Sequence, residues 1–226
     1  MLTAISPIDG RYADKTKELS KYFSEFALIC YRVKVEVLYF KALCELPLPQ
    51  LAEFPKGKLP RLLDLAERLD LEDANRIKAI ERTTNHDVKA VEYFLKEAFD
   101  RLDLGKFKEF IHFGLTSQDV NNTATPWLLK DAVNEAYFPL FQKVRQKLHD
   151  LSQAWTHVPM LARTHGQPAS PTLLGKEFRV FVERLDGQAA HVESQVWRAK
   201  FGGATGNLNA HFVAYPQVDW IVFANH

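Results

Sequence analysis

Cysteine, methionine and long apolar runs are scarce in this sequence of 226 residues. It contains 2 cysteines and 2 methionines. Cys30 and Cys44 fall within one helical pattern, where a rise of about 1.5 Å per residue separates them too far for a disulfide. Two cysteines also provide neither zinc-site spacing nor a disulfide framework. A reducing cytosol is the simplest inference.

Charge of one sign and targeting segments are also lacking. Lys+Arg 29 against Asp+Glu 28 gives a net charge of +1, so no global basic excess points to nucleic acid. The N-terminal stretch "MLTAISPIDGRYADK" has no basic start followed by an apolar run, unlike a signal peptide. No segment approaches the roughly 18 apolar residues of a membrane span. We therefore expect a soluble, cytoplasmic protein without nucleic-acid or membrane partners.

Hydrophobic residues recur instead at helical spacing. The clearest stripe follows steps of three and four residues and predicts a long bundle helix. Its members are Leu174, Phe178, Phe181, Leu185, Ala189, Val192 and Val196. A similar stripe predicts one helix from Leu19 to Cys44. No strand pattern of comparable strength is present.

Capping residues and prolines divide the remaining helical patterns. Asp70 and Asp87 are suited to cap the helices that follow them. Pro139 lies within a helical pattern from Asp119 to about Trp155 and is expected to kink or split it. The sequence thus predicts an all-α fold. We expect an N-terminal helical domain over residues 1–110 and the first part of a long-helix bundle over residues 111–226.

Three polar segments each lie at a predicted helix end, where backbone groups have no intrahelical partner. They are "TTNHD" (83–87), "TSQDVNNT" (116–123) and "RTHGQP" (163–168). Together their hydroxyl, amide and imidazole groups can hold carboxylates and present a histidine for proton transfer. A fourth segment, "DGRY" (9–12), offers Arg11 and Tyr12, a combination suited to a phosphate.

Structural interpretations of the same residues remain open at this point. Thr116, Ser117 and Asp119 can be ordinary helix caps, and His86 with Asp87 can be a structural pair. A single histidine in a proline-flanked loop, such as His165, is more often structural than catalytic. The segment "GGATG" follows a helix and lacks dinucleotide-binding spacing. Without HExxH or paired cysteine spacing, scattered histidines do not indicate a metal site.

Five segments taken in order resemble the adenylosuccinate lyase family of the fumarase/aspartase superfamily. They are "SPIDGRY", "ERTTNHDVKAVEYFLKE", "EFIHFGLTSQDVNNTA", "ARTHGQPASPTLLGKE" and "GATGNLNAHFVAYPQVDW". The similarity is to the N-terminal half of the bacterial type. "TSxD" alone is weak, but "THGQPAxP" together with "TTNHDVKAVEYFLK" is highly specific.

The resemblance implies a fumarase/aspartase-like helical fold and a β-elimination. Adenylosuccinate would give AMP and fumarate, and SAICAR would give AICAR and fumarate. No metal or organic cofactor is implied. Family members are homotetramers whose active sites combine segments of three subunits.

The resemblance also implies roles for individual residues. His165 matches the general acid, and the stiff loop around it would direct its ring toward the leaving nitrogen. Thr164 and Gln167 would orient the substrate and the ring. His86, with Asn85 and Asp87, matches a segment for substrate binding and proton transfer. Thr116 and Ser117 match residues that hold a succinyl carboxylate. Arg11 and Tyr12 match the pair that binds the phosphate.

One family segment is absent from residues 1–226. It is a mobile serine-rich loop, ending in Lys-x-Asn-Pro, that supplies the base and a substrate-binding lysine. We therefore expect residues 1–226 alone to be inactive. Two alternatives are a non-enzymatic binding or structural protein on the same scaffold and another superfamily lyase. Fumarase and argininosuccinate lyase are expected to lack "SPIDGRY" and "TTNHDVKAVEYFLKE".

Overall fold

The computed structural model describes residues 2–225, most of which form α-helices. The helices are α1 (Ala13–Thr16), α2 (Ser20–Phe23), α3 (Glu25–Leu43), α4 (Leu59–Glu67), α5 (Leu71–Thr84), α6 (Asp87–Arg101), α7 (Ser117–Ala132), α8 (Phe138–Ala154), α9 (Leu174–Glu193), α10 (Asn209–Ala214) and α11 (Trp220–Ala224). The antiparallel strands β1 (Pro159–Thr164) and β2 (Gln167–Leu173) form a two-stranded sheet. The predicted all-α fold class is thus confirmed, with one hairpin added.

The predicted helix from Leu19 to Cys44 is interrupted at Ser24. This residue has an extended backbone (ψ 161°), and its side chain accepts a hydrogen bond from the N–H of Ala27 at 3.1 Å. Ser24 is therefore the N-cap of α3. The periodicity of apolar residues does not reveal the break, because α2 and α3 continue the same spacing.

The long pattern after Thr116 is divided as predicted near Pro139. A π-helical turn (Val133–Tyr137) separates α7 from α8, and Pro139 lies in the first turn of α8. A proline ring clashes with the carbonyl four residues earlier, which here belongs to Glu135 in the π-helical turn. Pro126 lies inside α7 without ending it.

The chain forms two compact units. Unit 1 comprises Met1–Lys130 and Arg198–His226, and unit 2 comprises Asp131–Trp197. Each unit is a set of residues that contact one another within the fold. The proposed domain boundary near residue 110 stays a prediction.

The core of unit 1 is built around aromatic side chains. The ring of Phe40 on α3 lies 5.2 Å from that of Phe54 and 4.8 Å from that of Phe99 on α6, both edge-on. Phe107 extends the cluster, with its ring 5.3 Å from Phe54. Edge-on aromatic pairs add about 0.5–1.5 kcal/mol to the effect of burial. This cluster fixes α3, the helix that carries the residues supporting the candidate site.

Unit 2 pairs α8 with α9. Gly175 permits a close approach, because a Cβ at this position would lie 2.3 Å from the carbonyl oxygen of Ser152. Farther along, the guanidinium of Arg145 donates twice to the carboxylate of Asp186, both at 2.8 Å. The two helices are therefore joined by one close backbone contact and one bidentate ion pair.

Two members of the predicted α9 stripe, Phe181 and Val196, are exposed in this chain. Phe181 is 56% exposed, whereas the neighbouring Val182 is fully buried. Val196 lies beyond the end of α9 and is 72% exposed. Steps of four, three and four from Phe178 through Val182, Leu185 and Ala189 describe the inward face better. A large side chain next to a smaller one on a helix surface is not by itself evidence of which is buried.

Candidate functional site

His86 lies at the junction of α5 and α6. Asn85 ends α5 in a left-handed conformation (φ 51°), which reverses the chain direction and is tolerated by asparagine. His86, and not Asp87 as predicted, is the N-cap of α6, and its Nδ1 accepts a hydrogen bond from the N–H of Lys89 at 3.1 Å. Because Nδ1 is engaged by the cap, Nε2 is the ring nitrogen left for other chemistry.

Asp87 is the first residue of α6 and is held on both oxygens. Its Oδ1 accepts from the N–H of Val88 at 2.8 Å, and its Oδ2 accepts from Nη2 of Arg32 at 2.7 Å. Partial burial raises the pKa of Asp87, but these hydrogen bonds and the Arg32 charge outweigh it, and the pKa is lowered. The carboxylate thus stays ionised near the helix N-terminus, where negative charge is favourable.

Thr116 and Ser117 lie at the N-terminus of α7. Both are partly exposed. The N–H of Thr116 donates to Oδ2 of Asp119 at 2.7 Å, which is the reciprocal half of a capping box. Asp119, predicted as a possible cap, therefore supports the loop before the helix. The hydroxyl groups at positions 116 and 117 are thereby presented on a fixed backbone.

Asp119 is a buried anion with several donors. It is 3% exposed. Besides Thr116 it accepts from Nζ of Lys200 at 2.6 Å, from the N–H of Gly202 at 2.9 Å and from the N–H of Gly203 at 3.1 Å. The charge and hydrogen-bond capacity of the carboxylate are thus largely satisfied. The glycine-rich segment, which the sequence left without a role, attaches here to the loop that carries Thr116.

Polar groups on α3 and α10 support the segment before Thr116. Tyr39 donates from its hydroxyl to the carbonyl of Phe113 at 2.7 Å, and this hydroxyl lies 2.8 Å from Nε2 of His211. His211 is fully buried, and burial lowers its pKa. A neutral ring then donates from Nε2 to the tyrosine oxygen.

His112 forms a second support. Its Nδ1 lies 2.5 Å from Oε1 of Glu36, which is completely buried. Burial lowers the pKa of His112, but the hydrogen bond and charge of Glu36 outweigh it and raise the pKa. His112 also has a left-handed backbone (φ 60°), so the pair holds a strained turn near Thr116.

His165 lies at the tip of the β1–β2 hairpin, where the sequence predicted a proline-stiffened loop. Thr164 pairs with Gln167 across the sheet. His165 and Gly166 between them have φ values of 49° and 76°, as in the two-residue turns that suit hairpins. The backbone pairing, rather than the prolines alone, thus holds the turn. The side chains of Thr164, His165 and Gln167 are exposed.

Arg11 and Tyr12 are exposed near the N-terminus of the described chain. The guanidinium carbon of Arg11 lies 5.4 Å from the ring centroid of Tyr12, within the range of a cation–π contact. The stacking leaves the edge of the guanidinium available to an anion.

The predicted site residues are divided between the two units. Unit 2 contains Thr164, His165 and Gln167. Unit 1 contains Arg11, Tyr12, Asn85, His86, Asp87, Thr116 and Ser117. Within unit 1 the structure connects the His86 segment with the Thr116–Ser117 segment through Arg32, whose Nε also donates to Oδ1 of Asn121 on α7 at 2.9 Å.

Several supporting residues were missed by the sequence analysis. Arg32, Glu36 and Tyr39 lie in what reads as an ordinary amphipathic helix, and only their polar character at inward-facing positions signals a role. Between residues 2 and 225, no group of three His, Cys, Asp or Glu side chains could hold a metal ion. In the same range, no helix has the length and apolar character needed to cross a membrane.

Comparison with known proteins identifies the family of the chain. A family model described as "Lyase" matches residues 10–224. The chain belongs to this lyase family. Among curated proteins, it is 52% identical over 229 residues to an adenylosuccinate lyase of Dictyostelium discoideum and 43% identical over 225 residues to one of Escherichia coli K12. The similarity predicted from the five segments is thereby confirmed.

These relatives are longer than the chain. The aligned region covers 99% of the chain but 49% of each of the two relatives. The chain thus spans about half the length of the curated relatives it matches.

Solved structures confirm the fold class. A fumarate lyase from Mesorhizobium sp. BNC1 superposes with a TM-score of 0.68 at 26% identity, covering 87% of this chain and 44% of that one. A 3-carboxy-cis,cis-muconate lactonizing enzyme from Pseudomonas putida gives a TM-score of 0.65 at 20% identity, over 86% of this chain and 43% of that one. The second likeness concerns the fold alone.

Proposed function

We propose that this chain provides part of the active site of an adenylosuccinate lyase. The observation that carries the proposal is 52% identity to a relative of that name across 99% of the chain. The chemistry of the site supports it. Two helix N-termini present His86, Thr116 and Ser117, and such termini favour the carboxylates of a succinyl group.

The proposed reaction is a β-elimination. A base removes a proton from the carbon next to a carboxylate, a carbon–carbon double bond forms, and the carbon–nitrogen bond breaks. His165 donates a proton to the departing nitrogen. The products are fumarate and AMP from adenylosuccinate, and fumarate and AICAR from SAICAR. The exposed hairpin tip allows the imidazole to come within hydrogen-bond reach of that nitrogen, as general acid catalysis requires.

The other residues bind or orient the substrate in this proposal. Thr116 and Ser117 hold a succinyl carboxylate, and Arg11 with Tyr12 holds the phosphate. Thr164 and Gln167 orient the substrate around His165. His86 assists binding and proton transfer through its Nε2, since its Nδ1 caps α6. Asn85 and Asp87 also contribute to substrate binding, and Asp87 remains paired to Arg32 while it does so.

The base is proposed to lie outside residues 1–226, in the serine-rich loop implied by the resemblance. These residues contain no Lys-x-Asn-Pro sequence. We therefore expect the 226-residue chain alone to release no fumarate and to associate through the apolar face of α9. For the complete protein we propose a cytoplasmic homotetramer that needs no cofactor.

The proposal is tested with the full-length product of the source gene. Fumarate release is followed with adenylosuccinate, argininosuccinate and malate as parallel substrates. We expect release from adenylosuccinate alone. Release from either of the others, with none from adenylosuccinate, would assign a different lyase, and release from none would favour a non-enzymatic protein.

A further inference from the structure

Arg32 is a buried cation that joins two helices from a third. It lies on α3 and is 8% exposed. Its Nη2 donates to Asp87 on α6 at 2.7 Å, and its Nε donates to Asn121 on α7 at 2.9 Å. Guanidinium can do this because it is planar and its donors diverge in fixed directions. A single side chain thus links the first turn of α6 to the second turn of α7.

The contact with Asp87 acts on the candidate histidine. Asp87 is held by Arg32 on one oxygen and by the N–H of Val88 on the other. The latter oxygen lies 3.7 Å from Nδ1 of His86, and that nitrogen accepts from the N–H of Lys89. The first turn of α6, and with it the direction of the His86 ring, therefore depends on the position of Asp87.

The contact with Asn121 acts on the second segment. Asn121 follows Ser117 by four residues, and residues at this spacing lie on the same face of a helix, one turn apart. A displacement of Asn121 along α7 therefore moves Ser117 and the preceding Thr116 with it.

We propose that Arg32 is a positioning residue for the elimination reaction. By binding Asp87 and Asn121 together, it holds His86 and the Thr116–Ser117 pair in one geometry. This inference rests on the proposed function. It differs from an ordinary stabilising ion pair because it makes catalysis, and not only folding, depend on both contacts. A misplacement of about 1 Å can lower a rate roughly 100-fold.

The main test is Arg32→Lys in the full-length enzyme. Lysine retains the charge and can still pair with Asp87, but it cannot reproduce the fork that reaches both partners. We expect kcat/KM with adenylosuccinate to fall about 10- to 100-fold, mostly through kcat. The matched control is Arg76→Lys, since Arg76 on α5 also donates from two guanidinium nitrogens to a carboxylate on α6, that of Glu97. This control is expected to keep the wild-type kcat.

A second variant separates positioning from stability. Asn121→Ala leaves the Arg32–Asp87 pair intact and removes only the contact with α7. We expect a lower kcat with this variant as well, and an Arg32→Lys/Asn121→Ala double variant no worse than Arg32→Lys alone. Three results would each overturn the proposal. They are a wild-type kcat in a folded Arg32→Lys enzyme, an equal loss of kcat in Arg76→Lys, and additive losses of kcat in the double variant.

Hydrogen exchange keeps the test independent of the substrate assignment. If the wild-type enzyme does not cleave adenylosuccinate, the proposed function fails, but the geometric claim is still measured. In Arg32→Lys, peptides that contain residues 86–92 and 117–123 should both exchange faster than in wild type and in Arg76→Lys. Unchanged exchange in either peptide would show that Arg32 does not hold the two segments.

Discussion

The two units of this chain differ in how much of their hydrophobic surface they bury. Among the described residues, the buried hydrophobic side chains of unit 2 are Ala132 and Val182, and the rest belong to unit 1. Unit 2 instead exposes a series of large apolar side chains, namely Tyr137, Leu140, Val144, Val158, Leu161, Leu173, Phe181 and Val196. An apolar surface of this kind marks an interaction site or a liability for aggregation.

The difference extends to the candidate site. In unit 1 the polar segments are fixed by hydrogen bonds that Arg32 and Tyr39 donate and that Asp119 accepts. In unit 2 the side chain of His165 is exposed at the tip of a hairpin whose backbone alone is ordered by pairing. The polar segments of unit 1 are thus held in place by contacts inside that unit.

The largest effect expected concerns the exposed histidine of unit 2. Replacing His165 with alanine in the full-length enzyme should lower kcat by about 10²–10⁴-fold, the usual contribution of a positioned acid or base. His157→Ala is a matched control, because His157 is also exposed in unit 2. Steady-state assays of fumarate release measure both. Similar turnover in the two variants would remove His165 from the mechanism.

A pair of phenylalanine substitutions tests the difference in burial. Phe40→Ala in unit 1 should lower the free energy of unfolding by about 3–5 kcal/mol, because Phe40 is 1% exposed and contacts two other rings. Phe181→Ala in unit 2 should change it by less than about 0.5 kcal/mol when the chain of 226 residues is dilute enough to be monomeric. Urea unfolding followed by circular dichroism gives both values. Equal losses would mean that Phe181 has a partner in solution.

Fold prediction succeeded where one periodic signal dominated. The helical spacing and the capping signal of Asp70 predicted α5, and the structure shows the complete capping box of Asp70 with Asp73. The hairpin was missed because its strands contain Pro159, Pro168 and Pro171 and no alternating pattern. Its order comes from cross-strand pairing and a left-handed turn, and neither leaves a periodic trace in the sequence.

The sequence predicted the site side chains at the helix ends but not the long-range contacts that hold them. His86, Thr116 and Ser117 lie at helix ends as expected, since free backbone donors occur there. Arg32 could not be paired from sequence, because its partners Asp87 and Asn121 lie 55 and 89 positions away along the chain. Asp119 was a possible cap, but its ion-pair partner Lys200, 81 positions away, could not be found in the same way. Contacts of this kind depend on how helices pack, which hydrophobic periodicity leaves undetermined.

Two glycines with left-handed backbones give a smaller contrast between the units. Gly114 in unit 1 has φ 67°, and a Cβ there would lie 2.5 Å from the His211 ring. Gly166 in unit 2 has φ 76°, with nothing within 4 Å of the corresponding Cβ. Both alanine substitutions carry backbone strain of about 1–2 kcal/mol. Gly114→Ala should cost about 1–3 kcal/mol more, because the buried ring must move.

Equilibrium unfolding of the two glycine variants measures this difference directly. Gly114→Ser can accompany Gly114→Ala to show that the cost grows with the added side chain. If Gly114→Ala lowers the free energy of unfolding no more than Gly166→Ala does, the residues around His211 can move to admit a methyl group without cost. The two units would then not differ in packing at these glycines.

The smallest expected effect is a pH dependence within unit 1. The pKa of His112 is raised because the hydrogen bond and charge of Glu36 outweigh the lowering effect of burial. A raised pKa in the folded state gives stabilisation that is fully present below the unfolded value of about 6.5. It is lost as the pH rises through the folded pKa. Glu36→Gln should therefore destabilise the protein more at pH 6 than at pH 9, where a neutral His112 can still donate to the amide oxygen.

Glu53→Gln provides the control for this dependence. Glu53 pairs with Lys106 at the surface. The hydrogen bond and charge of Lys106 lower the pKa of Glu53, and the pair contains no histidine. Its small contribution should stay constant from pH 6 to pH 9. His211, whose pKa is lowered by burial, is present in both variants, so its acid destabilisation cancels when each is compared with wild type. Urea unfolding at several pH values would show the gap between wild type and Glu36→Gln narrowing with rising pH. A gap that widens instead would mean that His112 is neutral in the folded protein and that Glu36 stabilises the turn by another contact.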